Sequence, residues 1–220
     1  MNLATLSSRY AAFADGVFAR AAEANQPFLL YVGYAHVHVP QFCGPTNVGR
    51  TGKGHFADAL AELDDTVGGM MASLEAHGLR NNTLVFLTGD NGPWELKCTL
   101  TGSKGPFLGS WQQANGGGSS AKMTLWEAGH HTVGVASWPG VVQPGRVSGA
   151  LTSTLDYFPT LIARAGLSLP SDREYDGVDL TPILTGEAET AHTDLFHPNS
   201  GASGIPGILD AVRTVMLPFA

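Results

Sequence analysis

Asp90, Asn91 and Gly92 end the apolar run Leu84-Val-Phe-Leu-Thr-Gly. In an α/β sheet, ligands bind outside the C-terminal ends of the strands, where a carboxylate beside an amide oxygen can hold a hard cation. The same three residues are favoured turn chemistry, and the segment alone leaves both readings open. His36 and His38 lie two apart in Ala35-His-Val-His-Val-Pro40, so on an extended backbone both imidazoles point the same way. Such a pair could hold a transition metal, donate to an anion, or act as acid and base. Its place after an apolar segment, with Pro40 fixing the exit, favours a site role for at least His38. Lys122 follows Gly116-Gly-Gly-Ser-Ser-Ala. It is either a solvated loop lysine or a point charge reaching into a crevice to pair with an anion.

The elements that must position these groups follow from hydrophobic periodicity. Ser7 or Ser8 can cap a helix whose apolar stripe is Tyr10, Phe13, Val17 and Ala21, ending near Asn25-Gln-Pro27. Phe28 to Tyr34 reads as a buried strand, followed by a polar, Gly-rich loop to about Gly54. Phe56, Leu60, Leu63, Val67, Met70 and Leu74 form a second helical stripe stopped by Gly78, and residues 84–88 give the next strand. This alternation predicts an α/β fold, with a mixed or parallel sheet flanked by helices. Between Pro93 and Ala121 there is no period of either kind, which points to a functional loop or lid. Beyond it come a short strand near 134–138, a helical segment over 151–166 in which Pro159 starts a turn or makes a kink, and the turn Asp176-Gly-Val-Asp-Leu180 leading into a short helix. Asp179 suits the cap of that helix better than a metal pair with Asp176. A strand-like segment, 211–216, precedes the apolar end Leu217-Pro-Phe-Ala220.

Composition narrows the function. The 220 residues are 43% hydrophobic with a net charge of −7 and only 12 Lys+Arg in no basic run, which argues against nucleic acid and anionic membrane surfaces as partners. No stretch is long and apolar enough for a transmembrane segment, and residues 1–24 carry Arg9, Asp15 and Arg20 instead of a signal-peptide core. Cys43 and Cys98 match no CxxC metal site or disulfide framework and read as free thiols or one isolated bridge. Oligomeric state is not legible.

Taken in order, Pro27-Phe-Leu-Leu-Tyr-Val, His36-Val-His38-Val-Pro40, Leu63-Asp64 with Val67-Gly68, Thr83 through Gly92, Lys122 with Glu127-Ala-Gly129, and Asp176-Gly-Val-Asp-Leu resemble the downstream half of a type I sulfatase. Asp90-Asn-Gly-Pro-Trp-Glu-Leu-Lys-Cys98, Gly105-Pro-Phe and Leu195-Phe-His-Pro-Asn-Ser-Gly-Ala202 are most similar to lysosomal arylsulfatases, the arylsulfatase G branch in particular. The resemblance implies an alkaline phosphatase-like sulfatase fold, a bound Ca2+ or Mg2+, and hydrolysis of sulfate esters on a sulfated small molecule or sugar by a lysosomal or secreted enzyme. It further implies Asp90 and Asn91 as metal ligands, and His38 and Lys122 as catalytic, sulfate-binding residues, with Lys122 also stabilising the leaving oxygen. His36 is then a donor behind His38 or a structural residue. The family's nucleophile is a formylglycine made from cysteine in Cys-x-Pro-Ser-Arg, and neither Cys43-Gly-Pro-Thr-Asn nor Cys98-Thr-Leu-Thr-Gly fits that motif. Residues 1–220 thus read as an incomplete sulfatase domain whose upstream part, with the formylglycine and a first aspartate pair, is absent, and Met1 as other than the biological start. Two alternatives stay open: an inactive fragment that binds sulfated ligands, and a phosphate-ester hydrolase of the alkaline phosphatase superfamily. Where the family has Glu-Gly-Gly-x-Arg-x-Pro, Ala128, His131 and Val133 depart from it. Asn81-Asn-Thr83 is a possible glycosylation acceptor.

Overall fold

The computed structural model describes residues 2–124, 126–199 and 210–215, the last six and residues 198–199 by their backbone alone. The chain forms two compact units, Met1–Thr83 with Pro93–Lys122, and Leu84–Gly92 with Met123–Ala220.

The first unit is built on helices α1 (Leu6–Ala24) and α2 (His55–Ala76). Asn25, in the left-handed conformation, closes α1 by donating its N–H to Ala21 and Ala22 carbonyls. Ser7, Ala14, Phe18 and Ala21 are the buried line of α1, while Phe13 of the expected stripe is 65% exposed. The buried line of α2 is Asp58, Ala59, Glu62, Thr66 and Leu74, displaced from the expected one, and Leu60 is 46% exposed. The reason is polar. Asp58 accepts hydrogen bonds from Gly49 N (2.8 Å), Thr51 N (3.0 Å) and Thr51 Oγ1 (2.7 Å), and Glu62 from Ser7 Oγ (2.5 Å), Gly44 N and Asn47 Nδ2 (3.4 Å). Buried carboxylates are stable when so satisfied, and the 44–51 loop folds over this face to satisfy them.

Residues 28–34 correct a second expectation. The segment alternates half-buried and exposed residues, with Phe28 on Phe18 (5.3 Å between ring centroids) and Tyr34 on Tyr10 (4.7 Å), yet it belongs to no sheet. Leu29 and Tyr31 are 76% and 89% exposed. One side packs on α1, and no described strand lies beside the backbone to form a ladder, so extended chain stands where a buried strand is expected.

In the second unit β1 (Val85–Thr88) pairs with β2 (Gly134–Ser137), from Val85 opposite Ser137 to Thr88 opposite Gly134. The pairing is antiparallel, as is that of β3 (Asp194–Asn199) with β4 (Asp210–Val215), so the α/β class holds and, of the mixed or parallel pairing that the element order suggests, the described strand pairs are antiparallel. Antiparallel pairing needs no helical crossover, and the connections here are loops with short helices: α3 (Ser110–Ala114) in the first unit, then α4 (Glu127–His130), α5 (Tyr157–Arg164) and α6 (Thr181–Thr185) in the second. Phe86 of β1 stacks on Tyr157 of α5 with centroids 4.6 Å apart. Pro159 sits buried in the first turn of α5, where its missing N–H is harmless. Asp179 accepts from Thr181 N at 2.9 Å and Thr181 Oγ1 at 2.6 Å, but Leu180 occupies the cap position of α6, so Asp179 closes the preceding turn where a helix cap is expected. Ser200–Ala202, Met216 and the end Leu217–Ala220 lie outside the described residues.

Asp156 is the hub of this unit. Fully buried, it accepts from Ser153 N (2.7 Å) and Val178 N (2.9 Å) and meets His192 Nε2 (2.8 Å), while Thr160 Oγ1 accepts from Leu180 N (2.8 Å). A Cβ on Gly177 would lie 2.1 Å from the Leu155 carbonyl oxygen, so the Asp-Gly-Val-Asp-Leu turn needs its glycine.

Candidate functional site

His38 and Lys122, far apart in sequence, meet at one aromatic ring within the first unit. The centroids of the His38 and Trp94 rings are 6.4 Å apart with the rings tilted by 42°, and Lys122 Nζ lies 5.5 Å from the Trp94 centroid, within cation–π range. Lys122 is held there by its own backbone, whose N–H donates to the Pro93 carbonyl at 3.0 Å. His38 is exposed, and its Nδ1 lies 2.8 Å from the Val39 carbonyl oxygen. A carbonyl can only accept, so Nδ1 carries the proton and Nε2 presents its lone pair outward. On taking a second proton, Nε2 becomes a donor suited to an anion.

His36 does not share this orientation. The His38 N–H donates to the Ala35 carbonyl at 3.1 Å, so residues 35–38 make a turn where an extended backbone is expected, and the two imidazoles part. The His36 side chain is 1% exposed, edge-on to Tyr34 (5.5 Å) and Phe42 (4.5 Å). Its Nε2 stands 3.2 Å from Glu62 Oε1, within ion-pair distance though not aligned as a hydrogen bond. Burial pushes the Glu62 carboxyl up, but the Ser7, Gly44 and Asn47 hydrogen bonds, with His36, outweigh it and hold the group below its ordinary value. Glu62 therefore anchors both the turn before His38 and the loop after it. It was not singled out from the sequence because it lies beside the apolar stripe of its helix, on a side read as solvent-facing.

Asp90 and Asn91 leave β1 in the second unit. Asp90 is exposed, and the Asn91 amide nitrogen lies 3.1 Å from Asp90 Oδ1, so the two side chains face each other. Two glycines fix the backbone around them. A Cβ on Gly92 would stand 1.8 Å from the Ala128 carbonyl oxygen, and one on Gly89 2.2 Å from Thr132 Oγ1, while Gly92 N donates to Gly129 O at 3.0 Å. The Asp-Asn-Gly segment is thus clamped on the 128–132 stretch, and β2 pairs with β1 despite Ala128, His131 and Val133. With the amide turned, Asp90 and Asn91 offer three oxygens, two of the carboxylate and one of the amide, which suit a hard cation but fall short of the six to eight that Ca2+ takes. The described residues hold no group of three or more His, Cys, Asp or Glu that could complete the shell.

The long loop is internally ordered. Glu95 meets Lys104 Nζ and Ser119 Oγ at 2.6 Å each, contacts that hold its carboxyl below the ordinary range. Both cysteines are free; burial, reinforced by Glu62 and Asp58, pushes the Cys43 thiol up, so it is a poor nucleophile where it stands. Trp94 escaped the sequence reading. Its signal was an aromatic directly behind the Asp-Asn-Gly-Pro corner.

The sulfatase family model matches residues 4–167. Arylsulfatase G of Rattus norvegicus is 46% identical over 213 residues, which cover 97% of this chain and 40% of that protein. Arylsulfatase A of Bos taurus is 38% identical over 209 residues, 95% of this chain and 38% of its own length. Among solved structures, the PsFucS1 sulfatase from Pseudoalteromonas sp. superimposes with a TM-score of 0.78 at 25% identity, over 88% of this chain and 37% of that one. The chain spans well under half the length of these relatives.

Proposed function

Because this chain belongs to the sulfatase family, we propose that it carries the downstream part of an arylsulfatase site acting on sulfate esters, with His38 and Lys122 as the contacts to the sulfate group and Asp90 and Asn91 as ligands of a Ca2+ or Mg2+ ion. The observation that carries this reading is the meeting of His38 and Lys122 on Trp94. An ammonium and an imidazole donor are what a sulfate needs in a chain of net charge −7. Lys122 sets a fixed positive charge against the sulfate oxygens and against the leaving oxygen as its charge develops. His38, protonated at Nε2, donates to the same group and can return a proton to the departing alcohol. A bound divalent ion would add Lewis-acid polarisation of the sulfate. Asp90 supplies the carboxylate charge for that ion and Asn91 a neutral amide oxygen.

The nucleophile is proposed to lie outside these 220 residues, which are read as an incomplete sulfatase domain; no Cys-x-Pro-Ser-Arg occurs in them, and Cys43 is a suppressed thiol. The same observation favours a second reading, in which the chain binds sulfated molecules or sugars without turning them over. Lysosomal or secreted residence is proposed with the family, and no described helix is long and apolar enough to cross a membrane. The metal half is tested by calcium titration of the chain and of Asp90→Ala. We expect at least a 10-fold loss of affinity on removing the carboxylate. Equal affinity would return Asp90-Asn91 to an ordinary turn.

A further inference from the structure

Three of the chain's four lysines, Lys97, Lys104 and Lys122, fall within 26 residues, and the only acid between Pro93 and Lys122 is Glu95. Glu95 is taken up by Lys104 and Ser119. That leaves Lys97 and Lys122 without a counter-charge, and among the described residues neither ammonium has an ion pair or a hydrogen-bond acceptor. Both are nevertheless held at one ring. Lys97 Nζ lies 4.3 Å from the Trp94 centroid and Lys122 Nζ 5.5 Å from it. Both are also tethered by the backbone, Lys97 N donating to Trp94 O at 2.9 Å and Lys122 N to Pro93 O at 3.0 Å. Two half-buried like charges sharing one ring repel each other, and an anion between them converts that repulsion into attraction.

We infer that Lys97 is a second cationic contact for the ligand's sulfate group, and that Trp94 is a positioning residue holding both ammonium groups on it. The inference rests on the reading of Lys122 and His38 as sulfate contacts. The indole face attracts each cation, which reduces the lysine rotamer freedom lost on binding. A charge-assisted contact to the sulfate then adds to the one from Lys122.

The test is titration calorimetry of the 220-residue chain with inorganic sulfate, comparing the parent with Lys97→Met, Lys122→Met, Trp94→Ala and Trp94→Phe, each checked for an unchanged melting temperature. Lys97→Met should weaken sulfate binding about 10-fold, the loss typical of one charged hydrogen bond. Trp94→Ala should weaken it comparably, and Trp94→Phe, which keeps a ring face, should recover most of the affinity; a merely structural tryptophan would show no such rescue. If the parent binds and Lys122→Met abolishes binding while Lys97→Met and Trp94→Ala bind like the parent, the inference fails and the proposed site stands. If the parent binds no sulfate, or Lys122→Met binds as well as the parent, the proposed site fails and takes the inference with it.

Discussion

Replacing Glu62 by alanine should destabilise the first unit by about 3 kcal/mol. Glu62 is 5% exposed, and its carboxylate accepts from Ser7 Oγ, Gly44 N and, more weakly, Asn47 Nδ2, with His36 Nε2 alongside. Alanine leaves at least two of these donors buried without an acceptor, at roughly 1–3 kcal/mol each, and the more distant Asn47 contact adds little. For a chain of this size that corresponds to a fall in Tm of roughly 10 °C. The effect must also depend on pH in a defined direction. The hydrogen bonds and His36 lower the Glu62 pKa on folding, so its contribution is present above the ordinary carboxyl value of about 4.3 and is lost as pH falls through the folded value. Thermal unfolding followed by circular dichroism at pH 7 and near pH 3.5 measures both. The Tm gap between parent and Glu62→Ala should be full at pH 7 and shrink in acid. A variant that melts within a degree of the parent at pH 7 would refute the assignment of Glu62 as the anchor of the His38 segment.

Asp156→Ala should cost the second unit about 4 kcal/mol in urea unfolding, because Ser153 N, Val178 N and His192 lose a fully buried acceptor; a loss under 1 kcal/mol would contradict the hub. The His130 ring packs on that of His197 at a tilt of 33° with centroids 3.9 Å apart, and burial, then His197, pushes the His130 pKa below the ordinary value, so this packing is intact above about pH 6.5 and weakens as pH falls below it. Glu127 opposes that shift and His131 adds to it. Amide protection factors in Asp194–His197 should therefore drop between pH 7.5 and 5, and protection that does not change would overturn the pairing. The 220 residues alone should release no 4-nitrophenol from 4-nitrophenyl sulfate, since neither Cys43 nor Cys98 lies in a formylglycine motif; release that Lys122→Ala abolishes would disprove this.

Much of the site was legible because it stands at element ends. The abrupt change from Val85–Thr88 to Gly89-Asp-Asn-Gly marks a strand end, and the glycines there are required by contact with 128–132. Periodicity located α1 and α2 but misjudged which side of α2 is buried. Asp58, Glu62 and Thr66 count as surface residues by type, and their partners in the 44–51 loop have no periodic signal. Residues 28–34 carry the composition of a strand, but strand formation is a property of pairs, and a single segment does not encode its neighbour. The parting of His36 and His38 was hidden for a related reason. Alternation holds only on an extended backbone, and the Ala35 to His38 turn breaks it. Trp94 was missed because a lone aromatic in an aperiodic loop has no pattern; its importance appears only when Lys122, 28 residues later, returns to Pro93.

The central claim, that His38 and Lys122 form a sulfate-binding pair, is tested most directly by titrating the 220-residue chain with 4-nitrophenyl sulfate while following the Nε2 and Cε1–H resonances of His38 by NMR. Saturable binding that shifts those resonances, and that is lost in Lys122→Ala with the melting temperature unchanged, is the predicted result. Binding that survives both Lys122→Ala and His38→Ala, or that leaves the His38 resonances unmoved, would contradict it.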